Sequence, residues 1–338
     1  MGRRQAGAIE GGSRLIPTLT KTETMANLYL THHCNRGCPF CFARKVLAKR
    51  KDSNEILTVE EITKLLDHYH NSFGAIGLLG GEPFLYPHLA EVVNLLHERH
   101  IICKIFTSAT NPLPKGIEEL PASVEYMNFV VNVGERKTYN DEQFRNLEHF
   151  FEKFHQVSAL SFTIFDLNAD PTFLFDMIDK YGLNRAIRTG IALPIYQGGN
   201  SYIMPDEYKK AGEYFIKCVD QAAARQITMN MDCGFQACMF DDAQRGHLLR
   251  NGTRLEFSCG AAIDIGPGLQ TWNCFPLFQL GYVNAMDADN EQDLTKLLQE
   301  QVAKEIGNEF GVRPECKTCE FMLHHQCQGG CRSFKSIK

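Results

Sequence analysis

From residue 26 to residue 193 the sequence alternates short apolar runs with longer stretches of helical period, and that alternation restricts the chain to a narrow class of folds. The apolar runs are Ala26 to Thr31, Ala75 to Leu79, Ile101 to Thr107, Met127 to Val133, Leu160 to Phe165 and Ile187 to Leu193. All are of strand length. Between them stand a helix opened by the capping box Thr58-Val59-Glu60-Glu61, with Ile62, Leu65, Leu66 and Tyr69 as its apolar stripe, and helices over about Leu89 to Arg99, Asp141 to Phe154 and Thr172 to Tyr181. Strand and helix in turn predict right-handed βα units and a parallel α/β sheet, for which six strands are available. Functional residues of such a sheet belong at the carboxyl ends of its strands.

Two of those ends carry chemistry. The first run feeds directly into His32-His33-Cys34-Asn35-Arg36-Gly37-Cys38-Pro39-Phe40-Cys41, with three thiols inside eight residues. Zinc normally takes four ligands, often from CxxC pairs; CxxxCxxC offers three and leaves one iron of a four-iron cluster open. The second run ends in Gly80-Gly81-Glu82-Pro83. Paired glycines let a ligand approach the backbone, Glu82 can accept from an ammonium, and Pro83 stiffens the exit. Taken alone, this motif would be a strand-to-loop turn with an exposed glutamate.

Together, Cys34, Cys38 and Cys41, with Phe40 before the last, and the Gly-Gly-Glu-Pro motif one βα unit downstream resemble the signature of radical S-adenosylmethionine (SAM) enzymes. The resemblance implies a partial (β/α)6 TIM-like barrel and a 4Fe-4S cluster on the three cysteines, with SAM chelating the open iron. It implies reductive cleavage of SAM to a 5′-deoxyadenosyl radical that abstracts hydrogen from substrate, with a reductant such as flavodoxin or ferredoxin. Residue by residue it implies SAM contacts from Phe40, Gly80, Gly81, Glu82 and Pro83. Thr107-Ser108-Ala109 stands where relatives often carry Thr-Asn-Gly, which adds Thr107 and Ser108, and Asn132 stands where they often carry Ser. Arg145, four residues after Asp141, resembles an Asp-x-x-x-Arg whose planar guanidinium suits the SAM carboxylate; a plain helix-surface role is the alternative.

Thirteen cysteines, clustered at short spacing, read as metal ligands rather than disulfides. Cys103 and Cys218 fall in strand and helix patterns and read as small buried hydrophobes. After a helix over Tyr208 to Ala224 and a short strand over Ile227 to Met231, the composition changes. Cys233, Cys238, Cys259 and Cys274 are followed by Cys316-Lys317-Thr318-Cys319, Cys327 and Cys331. This series resembles the SPASM extension of radical SAM enzymes, which implies one or two auxiliary 4Fe-4S clusters. It departs from the pattern in two ways: seven residues separate Cys319 from Cys327 where the family has five, and no cysteine follows Cys331. The resemblance assigns Cys259, Cys274 and Cys331 to the first auxiliary cluster, with Cys238 or Cys233 as fourth ligand. Cys316, Cys319 and Cys327 go to the second, with His324 or His325 in the remaining place. A zinc ribbon of Cys316, Cys319, Cys327 and Cys331 is the alternative. The expected domains are a disordered tail over 1–24, a radical SAM barrel over 25–231 and an auxiliary iron-sulfur domain over 232–338.

A formal net charge of −5 over 338 residues gives no global footprint for nucleic acid or membrane, and neither an apolar stretch of membrane-spanning length nor a signal sequence is seen. The expectation is a cytoplasmic protein. SPASM-type enzymes typically modify peptides or proteins by crosslinking, epimerisation or oxidation to formylglycine. The last needs a carboxylate base after the second cysteine of the upstream pair, and Phe275 stands there. The family reading is therefore a ribosomal peptide maturase. Its alternatives are a radical SAM dehydrogenase or rearrangement enzyme acting on a small molecule such as an amino sugar or alcohol, and a non-enzymatic iron-sulfur protein. No leader-binding module fits before the first strand, so a leader peptide would be read by the barrel mouth, the extension or a separate protein.

Overall fold

The computed structural model describes residues 25–49, 53–70, 72–260 and 262–337; the tail expected over 1–24 lies outside them. The strands are β1 (Met25–Tyr29), β2 (Ala75–Leu79), β3 (Ile102–Thr107), β4 (Asn128–Asn132), β5 (Ser158–Ile164), β6 (Ala186–Ile191), β7 (Thr228–Met231), β8 (Ile263–Ile265), β9 (Gln270–Asn273) and β10 (Val283–Asn284). The helices are α1 (Arg44–Lys49), α2 (Val59–His68), α3 (Leu89–Glu98), α4 (Asp141–Phe154), α5 (Thr172–Tyr181), α6 (Tyr208–Ala223), α7 (Asp242–Arg250), α8 (Glu291–Ile306) and α9 (Glu320–Leu323). None is long and apolar enough to cross a membrane among the described residues.

Alternate strand residues meet the helix stripes. Leu28, Ile76, Leu78, Cys103, Ile105, Phe129, Val131 and Leu160 are buried in one core with Leu65 and Leu66 of α2, Val92 and Leu96 of α3, and Phe150 and Phe154 of α4. Truncating a buried ring such as Phe150 to alanine would cost roughly 3–5 kcal/mol. Local signals agree with this packing. The Thr58 hydroxyl accepts from the Glu61 N–H at 3.1 Å while the Glu61 carboxylate accepts from the Thr58 N–H at 2.9 Å. At the other end of a helix, Gly182 takes φ +64° to close α5.

Among the described residues ten strands form one sheet, in the order β10-β9-β8-β1-β2-β3-β4-β5-β6-β7. Neighbours from β8 through β1 to β7 run parallel, while β9 and β10 are antiparallel. The fold is thus an α/β partial barrel, longer than the six strands expected. Thr228–Met231 joins it as a seventh parallel strand, and β8 pairs with β1 on the other side. A cysteine-rich region follows β7, but residue 231 marks no break in the hydrogen bonding, because β8, β9 and β10 continue the barrel's own sheet. The β8 segment is hidden in sequence by its brevity and its central carboxylate. Asp264 is held there by Asn27 of β1, whose amide donates to it at 2.8 Å in a buried contact. Gly77 on β2 leaves the room: a Cβ there would come 2.2 Å from Asn27 Oδ1.

Candidate active site at the mouth of the barrel

The loop after β1 crosses the carboxyl ends of five strands. At β2 it is zipped to the glycine motif: Gly81 N–H donates to Thr31 O at 2.7 Å and Glu82 N–H to His33 O at 2.8 Å. A Cβ on Gly81 would lie 2.2 Å from His33 O and 2.9 Å from Cys34 Cβ, and one on Gly80 would lie 2.8 Å from Thr31 O. Both glycines are therefore required for loop-on-loop contact, a second role that the sequence reading did not assign them. Beyond β3, Asn35 and Asn111 exchange side-chain amide hydrogen bonds at 2.8 and 3.1 Å. Past β4, Arg36 donates to Thr138 O and to Gln143, each at 3.3 Å, and lies over the Tyr139 ring. The Phe40 ring meets Phe165, just past β5, at 4.9 Å. Past β6, Asn200 donates to Phe40 O at 3.1 Å and Ser201 N–H to Pro39 O at 2.8 Å.

Cys34, Cys38 and Cys41 are half-buried in this loop. Burial, with the neighbouring thiols, pushes Cys34 up to about 11 and Cys41 up to about 11. Thiols with such values are protonated at neutral pH and give up protons when a metal binds. Among the described residues no three ligand side chains converge on the point a single metal ion would occupy. In a four-iron cluster each thiolate takes a different iron, so its ligands stand wider apart than zinc's. Three thiols in a loop braced from β2 to β6 suit a cluster by donor chemistry.

Glu82 is buried, and its carboxylate is already ringed by donors. Oε1 accepts from the Thr107 hydroxyl at 2.5 Å and Phe84 N–H at 3.2 Å; Oε2 accepts from Ser108 N–H at 2.9 Å and its hydroxyl at 2.7 Å. These four bonds match the acceptor capacity of a carboxylate. Thr107 and Ser108 are thus brought to the site as partners of Glu82, and an ammonium bound by this carboxylate would compete with one of its four donors. Ala109, where relatives often carry glycine, sits buried at φ +51°. Pro83 opens the short helical turn that Glu82 caps. Asn132, the last residue of β4, is exposed. Arg145 is exposed on α4 without an ion pair or hydrogen bond to the described residues; its neighbour Asn146 instead donates to Thr110 O at 3.0 Å.

One pair at the mouth escaped the sequence reading. Arg188 on β6 pairs with Asp232 at 2.6 Å, donates to Ser161 on β5 at 3.3 Å and lies 5.7 Å from the Phe106 ring of β3. A contact from β6 to β3 crosses the concave face, so this half-exposed charge looks into the barrel. Its signal in sequence was a lone charge within a strand that is otherwise uncharged.

The second cysteine field lies beside the same mouth. Phe275, just after Cys274, packs on Tyr29 at 5.0 Å and on Trp272 at 5.2 Å. Cys316, Cys319 and Cys327 surround a turn in which Gly329 N–H donates to Cys327 Sγ at 3.3 Å. His324 and His325 are exposed.

Residues 28–165 match the Radical SAM superfamily, a segment that runs from β1 past the end of β5 and includes the cysteine loop and the glycine motif. An 86-residue stretch is 30% identical to an S-adenosylmethionine-dependent nucleotide dehydratase of Selenomonas ruminantium; it spans 25% of this chain and 29% of that protein's length. Among solved structures, Streptococcus suis SuiB bound to the precursor peptide SuiA is similar with TM-score 0.65 at 16% identity, covering 91% of this chain and 72% of that one. Native anSMEcpe with bound AdoMet is similar with TM-score 0.61 at 16% identity, covering 91% and 89%. Residues 28–165 thus carry a radical SAM domain, and the fold is the radical SAM partial barrel. That family uses a 4Fe-4S cluster and SAM.

Proposed function

We propose that this chain is a radical SAM enzyme that modifies a peptide or protein, with Cys34, Cys38 and Cys41 holding the SAM-binding cluster. The observation that carries the reading is the contact between the cysteine loop and Gly80-Gly81-Glu82-Pro83 at the carboxyl ends of the strands. When bound, the cluster supplies the electron that splits SAM into methionine and a hydrogen-abstracting radical. This chain's residues then bind and orient. Glu82, shared with Thr107 and Ser108, offers the acceptor for the SAM ammonium. Phe40, Asn132 and Arg145 border the cofactor, and Arg188 with Asp232 faces the substrate from the barrel wall. The cysteines beyond β7 hold auxiliary clusters. The peptide class is supported by the SPASM-like spacing and by the likeness of fold to an enzyme solved with its precursor peptide. A flavodoxin or ferredoxin would supply electrons in the cytoplasm.

The 30% identity to a nucleotide dehydratase favours a second reading, a small-molecule substrate such as a nucleotide. One experiment separates the two. The anaerobically reconstituted protein, reduced with dithionite, should convert SAM to 5′-deoxyadenosine and methionine, and the Cys34→Ala variant should not. Short peptides encoded beside the gene, and separately nucleotides, are then offered. A mass change in a peptide that requires SAM supports the first reading; turnover of a nucleotide with every peptide unchanged overturns it.

A further inference from the structure

The resemblance leaves the fourth ligand of the first auxiliary cluster between Cys233 and Cys238 and gives the second cluster three thiols, Cys316, Cys319 and Cys327; the loop after β7 carries both open cysteines. Asp232 N–H donates to Thr189 O and Ile191 N–H to Cys233 O, both at 2.8 Å, so Cys233 extends the edge of the sheet. Gly234 then turns the chain at φ +98°, where a Cβ would come 2.8 Å from Ile191 Cβ. The next turn, Ala237–Met239, lies against α6, and Gly212 makes the space: a Cβ there would come 2.5 Å from Met239 O. Cys233 and Cys238 thus stand along the chain on either side of the turn at Gly234.

Each side meets a different set of thiols. Around Cys233, the segment at Arg254 pairs with β7 through Met231 N–H at 3.3 Å. Phe257 O accepts from Gln328 N–H at 3.3 Å, Cys259 N–H donates to Gln328 Oε1 at 3.2 Å, and Cys274 N–H donates to Ala262 O at 3.1 Å. These bonds join the segments that carry Cys233, Cys259, Cys274 and Cys331, and burial, with the neighbouring thiols, pushes Cys233, Cys259 and Cys274 up. On the other side, the Cys327 thiol donates to Gln236, two residues before Cys238, at 3.5 Å, while the Cys316 thiol donates to Gly329 O at 3.8 Å. Burial, with Cys327 and Cys316 nearby, pushes the Cys238 thiol up, and Cys319 N–H donates to Cys316 O at 3.3 Å.

Three further observations fit an anionic group held between these thiols. The Tyr208 hydroxyl is buried with no hydrogen-bond partner among the described residues, at a place that faces Cys331, Cys238 and Cys316. Arg332 Nε is likewise buried without a partner, beside Cys259 and Cys331. Both are donors, and both stand where the sulfides and thiolates of an anionic cluster would accept. Cys274 itself sits at φ +64° and ψ 137°, a conformation that a side chain other than glycine's rarely adopts. A cysteine is kept there against the backbone's preference.

We propose that the loop after β7 supplies one ligand to each of two auxiliary clusters: Cys233 completes a set with Cys259, Cys274 and Cys331, and Cys238 completes a set with Cys316, Cys319 and Cys327. This rests on the reading of the field as cluster-binding, and it removes His324 and His325 from the ligand sets. The test uses the full chain with Cys34, Cys38 and Cys41 all changed to alanine, so that only auxiliary iron remains. After anaerobic reconstitution and size exclusion it should hold about eight irons, two four-iron clusters. Adding Cys233→Ala or Cys238→Ala should each remove about four irons or leave a three-iron EPR signal, and the two together should remove nearly all. Cys238→Ala with Cys316→Ala, two ligands of one set, should remove no more than either alone, a non-additivity that a general folding defect would not give. If the background holds zinc or no metal, the cluster reading itself falls. If it holds eight irons, keeps them in Cys238→Ala and loses four in His324→Ala or His325→Ala, the cluster reading stands and this ligand assignment is overturned.

Discussion

The rings of Phe42 and Phe275 stand 5.0 Å apart at an interplanar angle of 36°. Each follows a cysteine, Cys41 or Cys274, so one ring pair joins the loop at the barrel mouth to the second cysteine field. Phe275 is buried among Tyr29 and Trp272, whereas Phe42 is 46% exposed. The effect of truncation is therefore unequal: Phe275→Ala should lower unfolding free energy by roughly 3–5 kcal/mol and Phe42→Ala by about 1 kcal/mol. Urea denaturation of both variants measures it, and equal losses would contradict the packing.

Glu82 yields a prediction of opposite signs. Ser108→Ala removes one hydroxyl donor from Oε2 and keeps the backbone N–H, which in the proposed site would free a place for the SAM ammonium. Its SAM affinity should equal or exceed that of the wild type. Glu82→Gln sets an amide NH2 against the remaining donors and should weaken binding about tenfold or more, or about 1.4 kcal/mol. Calorimetric titration of the reconstituted proteins decides; unchanged affinity in Glu82→Gln would make this carboxylate a strut between β2 and β3 and nothing more.

Burial raises Cys34 and Cys41 to about 11 each, so in the proposed cluster site iron would have to displace both protons. The thiolate fraction grows about tenfold per pH unit below that value. Initial rates of cluster assembly, followed by visible absorbance in the anaerobic protein, should rise at least that steeply from pH 7 to pH 9. A flat profile would count against buried, protonated thiols.

Asp264 predicts how stability varies with pH. Burial pushes its carboxyl up to about 7 from 3.8, against the hydrogen bond from Asn27. Because the folded state holds the proton more tightly, stability should fall as pH rises from about 4 to about 7 and level off above. Asp264→Asn removes the effect. The gap in stability between variant and wild type should widen across that window by at most about 4 kcal/mol, and a gap that is constant with pH would mean that the carboxylate is solvated.

What could be read in sequence was local. Thr58 and Glu61, and the bounds of α4 and α5, follow from caps and periodicity within a few residues of each other. Thr107 and Ser108 were drawn to the site by analogy, yet their bonds to Glu82 join β2 to β3 and depend on how the two strand ends meet. Arg188 gave only the signal of a charge in a strand, which becomes meaningful once the sheet curves and brings Phe106 opposite it. Ile263-Asp264-Ile265 has too little pattern to announce a strand; its place is set by β1 and by Asn27.

The position of β1 between β2 and β8 has a bearing on the order of events during synthesis. Asn27 waits for a partner 237 residues further along the chain. At ribosomal rates of about 5–20 residues per second, that leaves β1 an open edge for roughly 10–50 s after it is made. During that interval the strand that carries the cysteine loop is paired on one side only, and an open edge is exposed to wrong partners. Nascent chains arrested at residue 231 should be cut by protease around residues 25–31, where the released full-length chain resists.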